Sequence, residues 1–220
     1  MSELIVMLTH NDVTVKDAQE VFESCADLPV KYWGFKDHGL EPAAMKKLVD
    51  TMKAAGKTTF LEVVSYTEEE CMRGAKLGVE CGFDYLLGTL YFDSVYEYVK
   101  TTSMKYCPFV GRVSQTPSIL EGTVEEMLAQ EADFAAKGIY GTDLLGYRYT
   151  GANVNEFCKE FVAKAKHPVC LAGSIGSDER VAIVKEMNPW TFTMGSALFS
   201  KNFVKEGTFR ENLEYVIGLL

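Results

Sequence analysis

The sequence is short of several features that would each point to a class of protein. No apolar run reaches the length of a bilayer-spanning helix. The first residues, Met1-Ser2-Glu3 and then an apolar run from Leu4, carry neither the basic flank nor the small-residue cleavage site of a secretory signal. A cytoplasmic protein with no membrane partner is therefore expected. Basic residues are in the minority: 22 Lys and Arg against 31 Asp and Glu give a formal net charge of -9. Without clustered cations to neutralise phosphates, a general affinity for nucleic acid or anionic lipid is not expected, although a local pocket can still take a small anion. None of the six cysteines stands in a C-x-x-C pair, so they read as free thiols and not as a disulfide framework or a zinc site. No Pro/Gly/Ser-rich stretch or charge block divides the chain, and residues 1–220 read as one domain.

What the sequence does have is a regular alternation. Short apolar runs rich in β-branched and aromatic residues, at 4–9, 32–36, 59–64, 85–89, 109–113, 141–146, 169–172 and 191–194, read as eight strands. Helical spacing fills much of the intervening chain, at 13–24, 41–55, 68–77, 123–136, 153–165 and 178–186, and 209–219 closes it. Thr14 ahead of Asp17 offers a capping-box-like start to the first helix, and Gly78 an end to the third. Strand–helix alternation implies a parallel sheet covered by helices. Eight unbroken repeats favour closure into a single (β/α)8 barrel over an open doubly wound sheet. Thr9-His10-Asn11-Asp12 follows the first strand where a dinucleotide fold would carry G-x-G-x-x-G, so no dinucleotide cofactor is expected there.

In such barrels the working face lies at the C-terminal ends of the strands, and phosphate commonly sits beside the loops after strands seven and eight. Both loops have suitable residues here: Gly173-Ser174-Ile175-Gly176-Ser177 after the seventh, and Gly195-Ser196-Ala197-Leu198-Phe199 after the eighth. Small residues let backbone N–H groups approach phosphate oxygens, and serine hydroxyls add donors. Either motif alone also reads as an ordinary Gly/Ser turn; the two in order read as a cup. From Pro168 onward, Pro168-Val169-Cys170-Leu171-Ala172-Gly173-Ser174-Ile175, Asp178-Glu179-Arg180 and Thr193-Met194-Gly195-Ser196-Ala197-Leu198 resemble the last two units of phosphate-binding barrels. The histidine-biosynthesis isomerase and the N-acetylmannosamine-6-phosphate epimerase are examples. The resemblance implies a phosphorylated small molecule held at Gly173, Ser174, Gly195 and Ser196. The seventh strand departs from those families by ending Ala172-Gly173-Ser174 where they often have Gly-Gly or Glu-Gly-Arg.

Chemistry is expected from the earlier strand ends. Phe35-Lys36-Asp37-His38-Gly39 places three ionisable residues at the end of an apolar strand, with Asp37 and His38 as substrate-binding candidates. Lys36 can serve as a cation beside carboxylates or, if desolvated and neutral, as a Schiff-base amine. Glu62 within Thr59-Phe60-Leu61-Glu62-Val63-Val64 is a carboxylate in an apolar strand, costly unless functional or paired, and Lys36 is a candidate partner. Asp143 has the same character on the sixth strand. Asp12 reads equally as a helix cap and as a catalytic carboxylate. Arg112 and Arg148 are candidate clamps for a substrate carboxylate or phosphate.

Carboxylates facing one another across a barrel mouth suit proton removal beside a carbonyl and its return elsewhere. The expected activity is thus an isomerase or epimerase acting on a phosphorylated sugar or related metabolite. Lys36, Glu62, Asp143 and Asp12 are its catalytic candidates, and no cofactor is needed. A lyase using Lys36, and a binding protein that performs no chemistry, are the alternatives. A divalent metal held among His10, Asp12, Asp37, His38 and Glu62 is a further possibility, since His10-Asn11-Asp12 has the spacing of metal-bearing sugar-phosphate epimerases once. The sequence does not specify an oligomeric state.

Overall fold

The computed structural model describes residues 2–220. Eight parallel strands form one sheet: β1 (Glu3–Met7), β2 (Tyr32–Lys36), β3 (Thr58–Val63), β4 (Tyr85–Gly88), β5 (Lys105–Cys107), β6 (Thr142–Leu144), β7 (Val169–Leu171) and β8 (Thr191–Met194). Each is hydrogen-bonded to its neighbour in the order β6-β7-β8-β1-β2-β3-β4-β5. The β5–β6 seam is closed by the N–H of Asp143, which donates to the Pro108 carbonyl at 2.9 Å, and by a parallel bridge between Phe109 and Asp143. The chain is a single (β/α)8 barrel, as the alternation implies.

Nine helices occur among the described residues: α1 (Ala18–Glu23), α2 (Pro42–Ala54), α3 (Glu68–Cys81), α4 (Asp93–Val99), α5 (Val124–Lys137), α6 (Val154–Lys164), α7 (Asp178–Met187), the single turn α8 (Ser196–Phe199) and α9 (Phe209–Leu219). The main core lies between strands and helices, around side chains such as Trp33, Phe35, Phe161 and Phe192. A second, smaller core fills the barrel itself with Ile5, Met7, Phe60, Tyr85, Leu87, Cys107 and Cys170. All six cysteines are buried and free.

Three local expectations are corrected, two of them with a consequence for the mouth of the barrel. The fifth strand is not 109–113 but Lys105–Cys107, because Pro108 has no N–H to give the ladder and Gly111, at φ +78°, turns the chain away. The chain then forms an antiparallel ribbon, Arg112–Ser114 against Ile119–Glu121. Helix α1 starts later than expected. Thr9–His10 pairs with Val13–Thr14 as a short hairpin whose turn residues, Asn11 and Asp12, have φ of 50° and 63°. Thr14 therefore caps nothing, and Asp12 belongs to a hairpin turn. Gly78 does not end α3, which runs on to a left-handed cap at Gly82; Gly78 is instead a contact point for Met104 and Leu61. The expected list also omitted α4.

Candidate active site

Lys36 is the last residue of β2, and the parallel register sets it beside Glu62 of β3. Side chains alternate across a strand, so Glu62, two residues beyond the interior Phe60, faces the barrel axis. Thr14 fixes the end of β2: its hydroxyl donates to the Lys36 carbonyl (2.8 Å) and accepts from the Lys36 N–H (3.0 Å). The same hairpin swings Asp12 over the mouth. Lys36 Nζ lies 2.9 Å from Asp12 Oδ1 and 3.8 Å from Glu62 Oε1, and only 11% of the lysine side chain is exposed.

The three charges set one another's protonation. Burial alone would pull the Lys36 ammonium down, but the charge of Glu62 and the hydrogen bond and charge of Asp12, with Asp37 behind, outweigh it and hold Lys36 above its ordinary value. Burial pushes Glu62 up; Lys36 opposes this, while Asp12 and Asp37 add to it, and the net direction is up. Asp12 is half-exposed. Its burial raises it less than Lys36, by hydrogen bond and charge, and then Arg148 together lower it. Two carboxylates flanking one ammonium are thus driven apart, the pattern that separates an ionised group from one poised to carry a proton.

A cavity of about 480 Å³ opens at this end of the barrel, and Asp12, Lys36, Glu62 and Arg148 all line it. So do Gly173, Ser174, Gly195 and Ser196, which brings both halves of the sequence reading to one space. Gly173 has φ +96°, a conformation that favours glycine. At Gly195 a Cβ would come within 2.8 Å of the Thr9 carbonyl and 2.9 Å of the Met7 carbonyl, so only glycine lets the end of β8 close against β1. Ser196 Oγ accepts from the Asn11 N–H at 3.2 Å, leaving the hydroxyl proton available to a ligand.

Other candidates lie elsewhere. Asp143 is 1% exposed and is absent from the cavity lining; neither carboxylate oxygen has a hydrogen-bond partner among the described residues. Burial, then the charge of Glu62, push its carboxyl well above the usual range against the opposing charge of Lys36. Asp37 and His38, 3.5 Å apart, line a separate cleft with Thr67 and Arg73 beside α3. Arg112 rides on the ribbon with 68% of its side chain exposed and Glu126 at 3.6 Å, outside the cavity. Both placements follow from backbone direction: a residue beyond a strand end goes where the turn sends it. His10 packs against the Phe199 ring at 5.7 Å, and among the described residues no three His, Cys, Asp or Glu side chains gather as metal ligands.

The cavity also contains residues that were not singled out as site candidates. Ser118 arrives on the ribbon, its hydroxyl 2.9 Å from that of Tyr66, whose O–H reaches the Gln115 carbonyl at 2.5 Å. Arg180 and Asn202 reach the loop after β7, where they donate to the Ser174 and Gly176 carbonyls. The signal for Arg180 was present, three residues after Ser177, whose hydroxyl caps α7; nothing in the sequence aimed it inward.

No family model matches the chain, and no curated protein matches it by sequence. Solved structures do match in fold. Orotidine 5'-phosphate decarboxylase from Pyrococcus horikoshii OT3 is 12% identical, with 98% of each chain covered and a TM-score of 0.72. The tryptophan synthase alpha chain from Legionella pneumophila subsp. pneumophila is 11% identical over 99% of this chain and 90% of that one, TM-score 0.68. The N-acetylmannosamine-6-phosphate 2-epimerase from Clostridium perfringens is 12% identical over 91% of each, TM-score 0.64. Two of the three are named for phosphorylated compounds, and the resemblance first seen in the last two strand–helix units extends, as a likeness of fold, over nearly the whole chain.

Proposed function

We propose that the protein is an isomerase or epimerase that moves a proton next to the carbonyl of a phosphorylated sugar or a related small metabolite. The observation that carries this reading is the Asp12–Lys36–Glu62 set facing the same cavity as the Gly173-Ser174 and Gly195-Ser196 loops. Phosphate held by those loops leaves the rest of a small substrate to extend toward Lys36. Glu62, its proton affinity raised by burial, takes the proton from the carbon beside the carbonyl; the hydroxyl proton on that carbon passes to the former carbonyl oxygen, and Glu62 returns its proton to the former carbonyl carbon. The Lys36 ammonium faces the oxygen that becomes negative as the proton leaves, in a partly desolvated site where such a charge is worth most. For inversion at one carbon, the ionised Asp12 takes the proton on one face and Glu62, holding a proton, delivers it to the other. Arg148 adds positive charge at the same wall. Proton transfer of this kind calls for no cofactor.

The lyase alternative needs Lys36 as a neutral amine, and its pairing with two carboxylates favours the ammonium. Incubation with a panel of aldose and ketose phosphates in D2O tests both. The proposal expects deuterium at the carbon beside the carbonyl in the native protein and at least a hundredfold less in Glu62→Gln. Borohydride-trapped adducts at Lys36 would instead favour the lyase. Phosphate binding with neither exchange nor adduct would leave a binding protein.

A further inference from the structure

Apart from Lys36 and Arg148, the remaining basic side chain of the cavity wall is Arg180, and its situation differs from theirs. Lys36 is matched by Asp12 and Glu62, and Arg148 lies within electrostatic reach of the same two carboxylates. Arg180 forms no ion pair among the described residues. Its guanidinium carbon lies over the Tyr147 ring, 4.4 Å from the centroid, and it spends one N–H on the Ser174 carbonyl at 2.7 Å. A guanidinium has five N–H donors in a rigid fork, so most of this one remains unspent.

The elements around it fix that position. The backbone N–H of Arg180 is held by the Ser177 hydroxyl at 3.3 Å, which starts α7 directly beyond the glycine loop. Tyr147 belongs to the short 3-10 turn Gly146–Arg148, and its N–H donates to the Ala172 carbonyl at 3.3 Å, tying that turn to the end of β7. A Cβ on Gly173 would stand 3.3 Å from the Tyr147 carbonyl carbon, so the platform and the phosphate loop are in contact. Arg180 is thus a cation without a carboxylate among the described residues, set over an aromatic ring and hydrogen-bonded to the loop that would receive the anion. On a chain of net charge -9 that is an uncommon place to leave a positive charge unopposed.

We infer that Arg180, positioned by Tyr147, is the charge partner of the ligand's anionic group and makes the cup selective for a dianionic phosphomonoester over a monoanionic diester. This rests on the reading of the Gly173 and Gly195 loops as an anion site and adds a side chain to it. Backbone N–H groups and serine hydroxyls bind a phosphate oxygen whether or not its neighbour carries a proton. A guanidinium fork gains most when two ionised oxygens lie side by side.

Calorimetric titration of the full chain with inorganic phosphate, and separately with dimethyl phosphate, tests this. The native protein should bind phosphate more tightly as pH rises through the second phosphate ionisation, and bind dimethyl phosphate at least tenfold more weakly. Arg180→Gln should bind phosphate roughly 10- to 100-fold more weakly, the loss expected for a charge-assisted hydrogen bond. It should also lose most of the rise with pH. Tyr147→Leu, which removes the ring under the guanidinium, should weaken phosphate binding without abolishing it. Thermal unfolding of each variant shows which ones remain folded, and the half-buried Arg180 can be replaced without opening the core. Equal phosphate affinity and equal pH dependence in native protein and Arg180→Gln would overturn the inference while leaving the cup intact. Absence of phosphate binding in the native protein would overturn the cup, and the role of Arg180 with it.

Discussion

At the scale of single residues, the proposed chemistry turns on one ammonium between two carboxylates. Lys36 pulls the protonation of Glu62 down against the push of burial, so removing its charge must send Glu62 further up. In Lys36→Met, the acidic limb of the kcat/KM profile is expected to move to higher pH in addition to the loss of rate. A limb that stays in place would remove Glu62 from the role of proton carrier. Asp143 makes a prediction that needs no substrate. Its folded-state proton affinity is raised by burial, so the native protein keeps that proton when the unfolded chain has lost it at about pH 4. The stability this contributes is complete below that pH and is lost as pH rises toward the raised folded value. Asp143→Asn should therefore match the native protein in acid and exceed it at neutral pH, with a flatter pH dependence in urea titrations.

Among the elements, the ribbon between β5 and α5 is the addition that shapes this mouth. It replaces a strand end with a wall carrying Ser118, and its tip is fastened to the β3–α3 connection by Tyr66. Its base is fastened to the Arg148 segment through the Leu120–Tyr149 bridge and the Thr150 N–H to the Leu120 carbonyl. Tyr66→Phe should free the tip alone: limited proteolysis should cut faster at residues 115–118, and kcat/KM should fall about fivefold, the worth of roughly one hydrogen bond. Unaltered proteolysis would mean that the tip is held by other contacts. The helices behind the mouth depend on local chemistry. The reciprocal capping box of Thr123 and Glu126 starts α5, and Thr123→Ala should cost about 1 kcal/mol in urea titrations without touching the site.

Across the whole molecule, the candidate site and the aromatic filling of the barrel occupy opposite ends. The interior below the site is filled by rings, with Phe60 stacked on Tyr85 at 4.5 Å and Tyr140 and Trp190 packed around them. Phe60 is fully buried, so Phe60→Ala should lower stability by about 3–5 kcal/mol. Where the variant is still folded, its phosphate affinity should stay within about twofold of the native value, because the loops that line the cup lie at the other end. No helix among the described residues is long and apolar enough to cross a membrane.

The sequence by itself determined the repeat, the two glycine–serine loops that end its last strands and the place of Lys36 and Glu62 on the second and third. Each is written in neighbouring residues: a period of apolar runs, a glycine where only glycine fits, a charge inside an apolar strand. β2 and β8 coincide with the expected runs because nothing interrupts them. The misread strand at 109–113 shows the limit, since its apolar content is sound and Pro108 and Gly111 decide otherwise through hydrogen bonding and backbone angle. Only the tertiary structure decided which charges share a space. Asp12 joins Lys36 because the hairpin turns it over the mouth, whereas Asp37, adjacent to Lys36 in sequence, faces another cleft. Asp143 falls below the cavity and Arg112 outside it, and Arg180 enters from a helix. Side-chain type is local, but direction and company depend on strand register and loop path, which are settled when the barrel closes.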